Sequence, residues 1–263
     1  MSGTQTSRPT GGRPKSGEPV LERAFRLLHA FADAPTRSLT LQQLAARADL
    51  PKTTTFRLAT QLVSLAALER LDNGEFVIGL RMMEIASLGP RGYGLRATAL
   101  PFMEDLHRIT GQHVLLAVRD GNEAVLVERL SARDATTVKY RVGGRLPLDT
   151  TGVGVALLAH APESLRGSFL ARLEVDGRTS RLRELLAAVR TEGVCEITGA
   201  NPAAAQPAAM STVAAPILTR RGRLLGAISL VAPAAGGSVA ANRVALRTVG
   251  LAIARTMDAA DPG

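Results

Sequence analysis

Apolar residues fall at positions 20, 21, 24, 27, 28 and 31, the i, i+3, i+4, i+7 spacing of an amphipathic helix. Pro19 suits the first turn of that helix, and "DAPTRS" ends it. Thr40 and Gln43 form a capping-box pair ahead of "LQQLAARA", which predicts a short helix over about 41–48. "DLP" breaks the chain, and Pro51 opens a longer helix, "KTTTFRLATQLVSLA", to about 66. Leu58, Leu62 and Leu65 form one apolar stripe on it, while Lys52, Thr53, Thr54, Thr55, Arg57 and Gln61 lie near its start and on other faces. Two β-prone runs then flank Asp72-Asn73-Gly74, residues that tolerate the positive φ of a hairpin turn.

Helix, short helix, turn, longer helix and hairpin make a helix-turn-helix with a wing. The N-terminal residues of such a second helix read base edges. Threonine hydroxyls and methyls suit bases and phosphates, and Lys52 and Arg57 suit phosphates. The expected DNA-binding set is Lys52, Thr53, Thr54, Thr55, Arg57 and Gln61. "LRMMEIASLGPRG" continues helically and breaks at Gly89-Pro90. Met82, Met83, Ile85 and Leu88 on it form either a dimer seam or a core stripe.

From about residue 95 the pattern turns to mixed helix and strand. "RATALPFMEDLHRITG" is a helix, "HVLLAVRDGNEAVLVERL" two strands about a turn, "TTVKYRVG" a third strand and "GVGVALLAHA" a helix. "RLRELLAAVRTEG" is an amphipathic helix, "STVAAPIL" and "LLGAISLVA" are strands, and "AANRVALRTVGLAIARTM" closes the chain as a helix. The class is α+β. The expected domains are an arm at 1–17, disordered by its Gly, Pro, Ser and Thr content, a winged helix-turn-helix at 18–79, a linker helix at 80–94 and an effector-binding domain at 95–263.

Composition adds limits. The 263 residues carry a net charge of +9, with 29 Arg against 3 Lys, but the excess is spread along the chain and marks no stripe for nucleic acid. No apolar run reaches the roughly 18 to 20 residues of a membrane span, and the first residues lack a secretory core, so a cytoplasmic protein with no membrane partner is expected. The single cysteine, Cys195, excludes an intramolecular disulfide framework and a cysteine-cluster zinc site. Cys195 with His107, His113 or His160 raises a nucleophile, but no histidine has an acidic or cysteine partner at useful spacing. No metal cluster or P-loop lysine motif is present, and no catalytic residue, metal or cofactor is expected.

"LTLQQLAARADLPKTTTFRLATQLVSLAALER" resembles the winged helix of the IclR-type bacterial transcriptional regulators. "ITG", "AVRDG", "VERL", "VGGRLPL", "VAAPI" and "GAISL" follow in that family's order, so the resemblance covers about residues 19–257. It implies a DNA-binding domain, a linker helix and a GAF/PAS-like α/β effector-binding domain. It also implies homodimers or homotetramers on partly palindromic double-stranded operators, and small organic acids or aromatic metabolites as effectors. Lys52, Thr53, Thr54, Arg57 and Leu58 match the family's recognition helix. After "PL", Thr151, Gly154 and Ala156 match, Asp149 and Thr150 do not, and Val155 stands where a lysine is common. The acidic residues usual before the "VAAPI" strand are replaced by "NPAAAQPAAM". Thr212 stands where a cysteine often lines the pocket, and Ser229 matches a pocket serine.

These matches place an effector against Leu146, Leu148, Thr151, Gly152, Val153, Thr212, Val213 and Ser229. The Thr151 hydroxyl and the free N–H groups of the following helix start suit a carboxylate or carbonyl. The lost lysine and acidic positions support an alternative: a DNA-binding regulator whose C-terminal domain serves assembly or partner binding and senses nothing. "TTGVGVALLA" itself is no phosphate cradle, since no Lys-Ser/Thr follows the glycines and no clean βαβ strand precedes them.

Overall fold

The computed structural model describes residues 18–32, 34–131, 140–174, 179–200, 209–234 and 239–260. The expected arm at 1–17 and the stretch 201–208 lie outside them. The chain divides into two compact units after Leu88.

In the first unit α1 (Val20–His29), α2 (Leu41–Arg47) and α3 (Lys52–Ser64) precede a hairpin of β1 (Leu68–Arg70) and β2 (Phe76–Ile78), and α4 (Leu80–Ser87) follows. Leu27, Leu44, Leu58, Leu62, Leu68 and Phe76 are buried together as its core. The capping box before α2 is made in both directions: Thr40 N–H donates to Gln43 Oε1 at 2.8 Å, and Gln43 N–H to Thr40 Oγ1 at 3.2 Å. The turn into α3 passes through Asp49 at φ 50°, a left-handed position that aspartate tolerates better than most residues. Leu50 N–H closes back onto Ala45 O at 3.0 Å, which ends α2 with its carbonyls partnered. Leu65 departs from the expected stripe: it caps the end of α3 and is 63% exposed. No side chain of α4 is buried, so its methionine and isoleucine positions form no core stripe.

The second unit opens with a π-helical turn at Pro90–Gly94 running into α5 (Leu95–Thr110). The strands β3 (His113–Asp120), β4 (Glu123–Leu130), β5 (Arg145–Pro147), β6 (Cys195–Ala200), β7 (Ala209–Leu218) and β8 (Leu224–Pro233) form one sheet in the order β5-β4-β3-β8-β7-β6. Every neighbouring pair is antiparallel. One face packs with α6 (Gly152–Ala159), α7 (Glu163–Glu174) and α8 (Thr179–Glu192); the other packs with α5 and α9 (Val239–Ala260). Helices on both faces bury the sheet twice over. The α+β class, with an N-terminal helix-turn-helix and a C-terminal α/β domain, is thus the observed one.

Three local differences have simple causes. Of the strand expected at 136–143, residues 136–139 lie outside the described ones; the described part is no strand, Arg141–Gly144 being a turn, and the strand against β4 is Arg145–Pro147. α7 buries only Phe169 and Leu173, too few apolar positions to show a period. β6, "CEITGA", is short and follows Gly193 at φ 77°, so it reads as loop.

Candidate functional site

α3 begins after Pro51 and turns its buried side toward α1, α2 and β1 through Thr55, Leu58, Ala59 and Leu62. Of the expected DNA-binding residues, Lys52, Thr53, Arg57 and Gln61 are exposed and Thr54 is half-buried. Thr55 is a correction. It is fully buried, and its hydroxyl donates to Pro51 O at 3.1 Å, so it holds the helix start and faces no ligand. Among the described residues neither Lys52 nor Arg57 has an ion-pair partner. Phe56 also lies on the exposed face. The stripe through Leu58 and Leu62 leaves it off, and that was the signal available in the sequence.

The second unit carries a pocket on its α6 face. Thr151 caps α6: its Oγ1 accepts Gly154 N–H at 3.2 Å and donates to Pro147 O at 2.7 Å. Val155 N–H is taken by Thr151 O. The Gly152 and Val153 N–H groups have no partner within the helix. Both residues line the pocket over the sheet, where cross-strand rows set the floor. Thr212 pairs with Val231 and Ile197, and Ser229 pairs with Leu115 and Ala214. Paired residues share a face, and all but Ala214 line the pocket, with Leu146, Thr150, Thr151, Gly152 and Val153 above them. Tyr140, Gly199 and Met210 complete it. Burial raises the Tyr140 pKa, so this phenol stays neutral.

Two expected pocket residues are corrected. Val213 is buried on the opposite face, with α5 and α9, because side chains alternate along a strand and Thr212 already faces the pocket. Leu148 is fully buried in the core beside α6 and does not line the cavity. Val155 is likewise fully buried in that core and does not line the cavity. Asp149 points elsewhere and pairs with Arg172 of α7 at 3.4 Å. Leu115, Met210 and Val231 were missed because their strands are largely buried and show no clean alternation, and Ile197 because its strand β6 reads as loop.

Ser229 Oγ is the pocket's unusual atom. It is wholly buried and has no hydrogen-bond partner among the described residues. Cys195 is no nucleophile: burial pushes its thiol up to about 12, and Sγ–H points at Gly152 O at 3.8 Å. Among the described residues no three His, Cys, Asp or Glu side chains gather as a metal would need.

Residues 20–72 match the IclR helix-turn-helix domain, and residues 91–253 match the bacterial transcriptional regulator IclR C-terminal domain. The chain belongs to the IclR family. Among IclR-type relatives, the transcriptional regulator KipR of Bacillus subtilis is 29% identical over 153 residues, 58% of this chain and 60% of KipR. The transcriptional repressor AllR of Escherichia coli K12 is 33% identical over 156 residues, 56% of this chain and 57% of AllR. The chain thus spans under two thirds of either. An IclR homolog from Microbacterium hydrocarbonoxydans, solved with 4-hydroxybenzoate, is 31% identical, with a TM-score of 0.79 over 91% of this chain and 99% of that one.

Proposed function

We propose that this protein is a DNA-binding transcriptional regulator whose operator affinity is set by a small molecule held in the α6 pocket. The observation that carries the reading is the division of α3. Its inner side is core, and its outer side offers Lys52 and Thr53 in the first turn, with Arg57 and Gln61 further along, on a helix that follows a tight turn. Two free cations beside a helix N-terminus suit phosphates. Thr53 and Thr54 stand nearest the helix start, where base edges are read. A protein acting on operators works in the cytoplasm. Among the described residues no helix is long and apolar enough to cross a membrane.

The pocket supplies the control. The Thr151 hydroxyl is spent on Pro147 O and Gly154 N–H, but the hydroxyls of Thr150 and Ser229 and the first N–H groups of α6 present hydrogen bonds inside walls of Leu115, Leu146, Ile197 and Val231. A small organic acid, or an aromatic acid of the kind bound by the Microbacterium relative, places its oxygens there. Binding changes operator affinity only to the extent that it favours one arrangement of the assembled protein.

One observation favours a second reading, a C-terminal domain that serves assembly and senses nothing. The free space of the pocket is about 60 Å³, below the roughly 150 Å³ of a cavity that takes benzene. A ring enters only if lining side chains turn aside.

Titrating the full chain with duplexes selected from a random pool tests the first reading. Arg57→Ala and Lys52→Ala are expected to weaken binding to all sequences, each lowering the salt slope by about one. Parent-like binding by both variants rules α3 out. An unchanged DNA affinity across a panel of small carboxylates and phenols decides for the second reading.

A further inference from the structure

α3 exposes one side chain that does not match the rest of its outer face. Phe56 is 51% exposed, although the inner side of the helix is already filled by Thr55, Leu58, Ala59 and Leu62. A single exposed apolar residue is ordinary. Its position here is not. Phe56 lies one turn beyond Lys52 and Thr53 and next to Arg57, so it stands among the free cations at the start of the helix. Thr60, the next residue on its row, has its hydroxyl turned back to Phe56 O at 2.9 Å, so that hydroxyl is engaged with the helix backbone.

We propose that Phe56 is a specificity-determining residue that rests against the 5-methyl group of a thymine in the major groove. The inference deepens the reading of α3 as the DNA-contacting helix. A phenyl ring makes no directional hydrogen bond, so it distinguishes bases only by their apolar edges. Thymine is the base that shows a methyl group in the major groove; cytosine has only a hydrogen on the same ring carbon, next to an amine donor. Covering the methyl is favourable by about fourfold in affinity, the equivalent of one buried methylene. Against cytosine the ring finds no methyl to cover and crowds the adjoining amine, displacing its water with no acceptor in return. The ring therefore selects thymine over cytosine at one position of each half-site, while Lys52 and Arg57 hold the backbone whatever the sequence.

The test uses the full chain and a duplex selected from a random pool, with each thymine in turn replaced by deoxyuridine, which lacks only the methyl. One such replacement is expected to weaken the parent about fourfold and to leave Phe56→Ala unaffected. Phe56→Leu, which keeps an apolar body, is expected to retain part of the effect. The salt slope of both variants should equal that of the parent, because no phosphate contact is removed. If every deoxyuridine duplex binds parent and Phe56→Ala in the same ratio, the proposal is overturned and α3 still stands as the DNA-contacting helix. If Lys52→Ala and Arg57→Ala bind like the parent, α3 itself is misplaced and the proposal falls with it.

Discussion

Gly152 stands so close over Thr212 that a β-carbon at 152 would lie 2.4 Å from Thr212 Cγ2. Gly154 is as constrained, with a β-carbon there 2.2 Å from Pro147 O. Neither glycine has a positive φ. Their role is close approach: one lets α6 lie on β7, the other lets the 147–151 turn wrap the start of α6. Gly152→Ala is therefore expected to destabilise the protein by about 1–3 kcal/mol. Adding Thr212→Ser, which deletes the obstructing methyl, should return part of the loss. Urea unfolding of the two single variants and the double variant measures the coupling, and simple additivity would count against the contact.

This pair also shows what the sequence holds and what it hides. The helix-turn-helix was legible because its signals are local: a capping box at Thr40–Gln43, a break at Leu50-Pro51 and a turn at Asp72–Gly74. Thr55 was not separable from Thr53 and Thr54 by residue type; burial against the core beside Leu58 and Leu62 decides it. The pocket was legible at the Thr151 cap, which is again local. Its floor was not, because Thr212 and Val213 are adjacent residues of a doubly buried strand, and only the pairing with Val231 and Leu230 assigns each to a face.

Ser229 gives an expectation of opposite signs. Its buried hydroxyl lacks a partner, and an unpaired buried polar group costs about 1–3 kcal/mol. Ser229→Ala should thus leave the ligand-free protein as stable as the parent or about 1 kcal/mol more stable. The same change should weaken any ligand whose oxygen the hydroxyl meets. Chemical denaturation without ligand, beside calorimetric titration with a bound one, reads both. A clear loss of stability in the ligand-free variant would mean that the hydroxyl already has a partner.

His160, at the end of α6, carries a pH dependence. Its pKa is lowered first by burial and then by Arg190 and Arg166. The unfolded chain takes up this proton as the pH falls through about 6.5, and the folded chain resists it. Stability is therefore present above that pH and declines as the pH falls from there through the folded value. Denaturant midpoints between about pH 5 and pH 8 should fall less steeply for His160→Gln than for the parent. Parallel curves would show that the ring titrates alike in both states.

The exposed apolar residues of the first unit bear on assembly. α1 leaves Leu21 and Phe25 exposed at 72% and 68%, and α4 leaves Leu80 and Leu88 exposed at 70% and 81%. We propose that the exposed apolar residues of α1 pair identical chains, since exposed apolar surface marks protein contacts and two-fold pairing matches a palindromic operator. Replacing Leu21 and Phe25 together by aspartate removes no core contact, since neither is buried, so the fold should survive. The sedimenting mass should drop toward that of one chain. Affinity for a duplex with two half-sites should fall to the level of a single half-site, because the second contact is no longer intramolecular. An unchanged mass would move the contact away from α1.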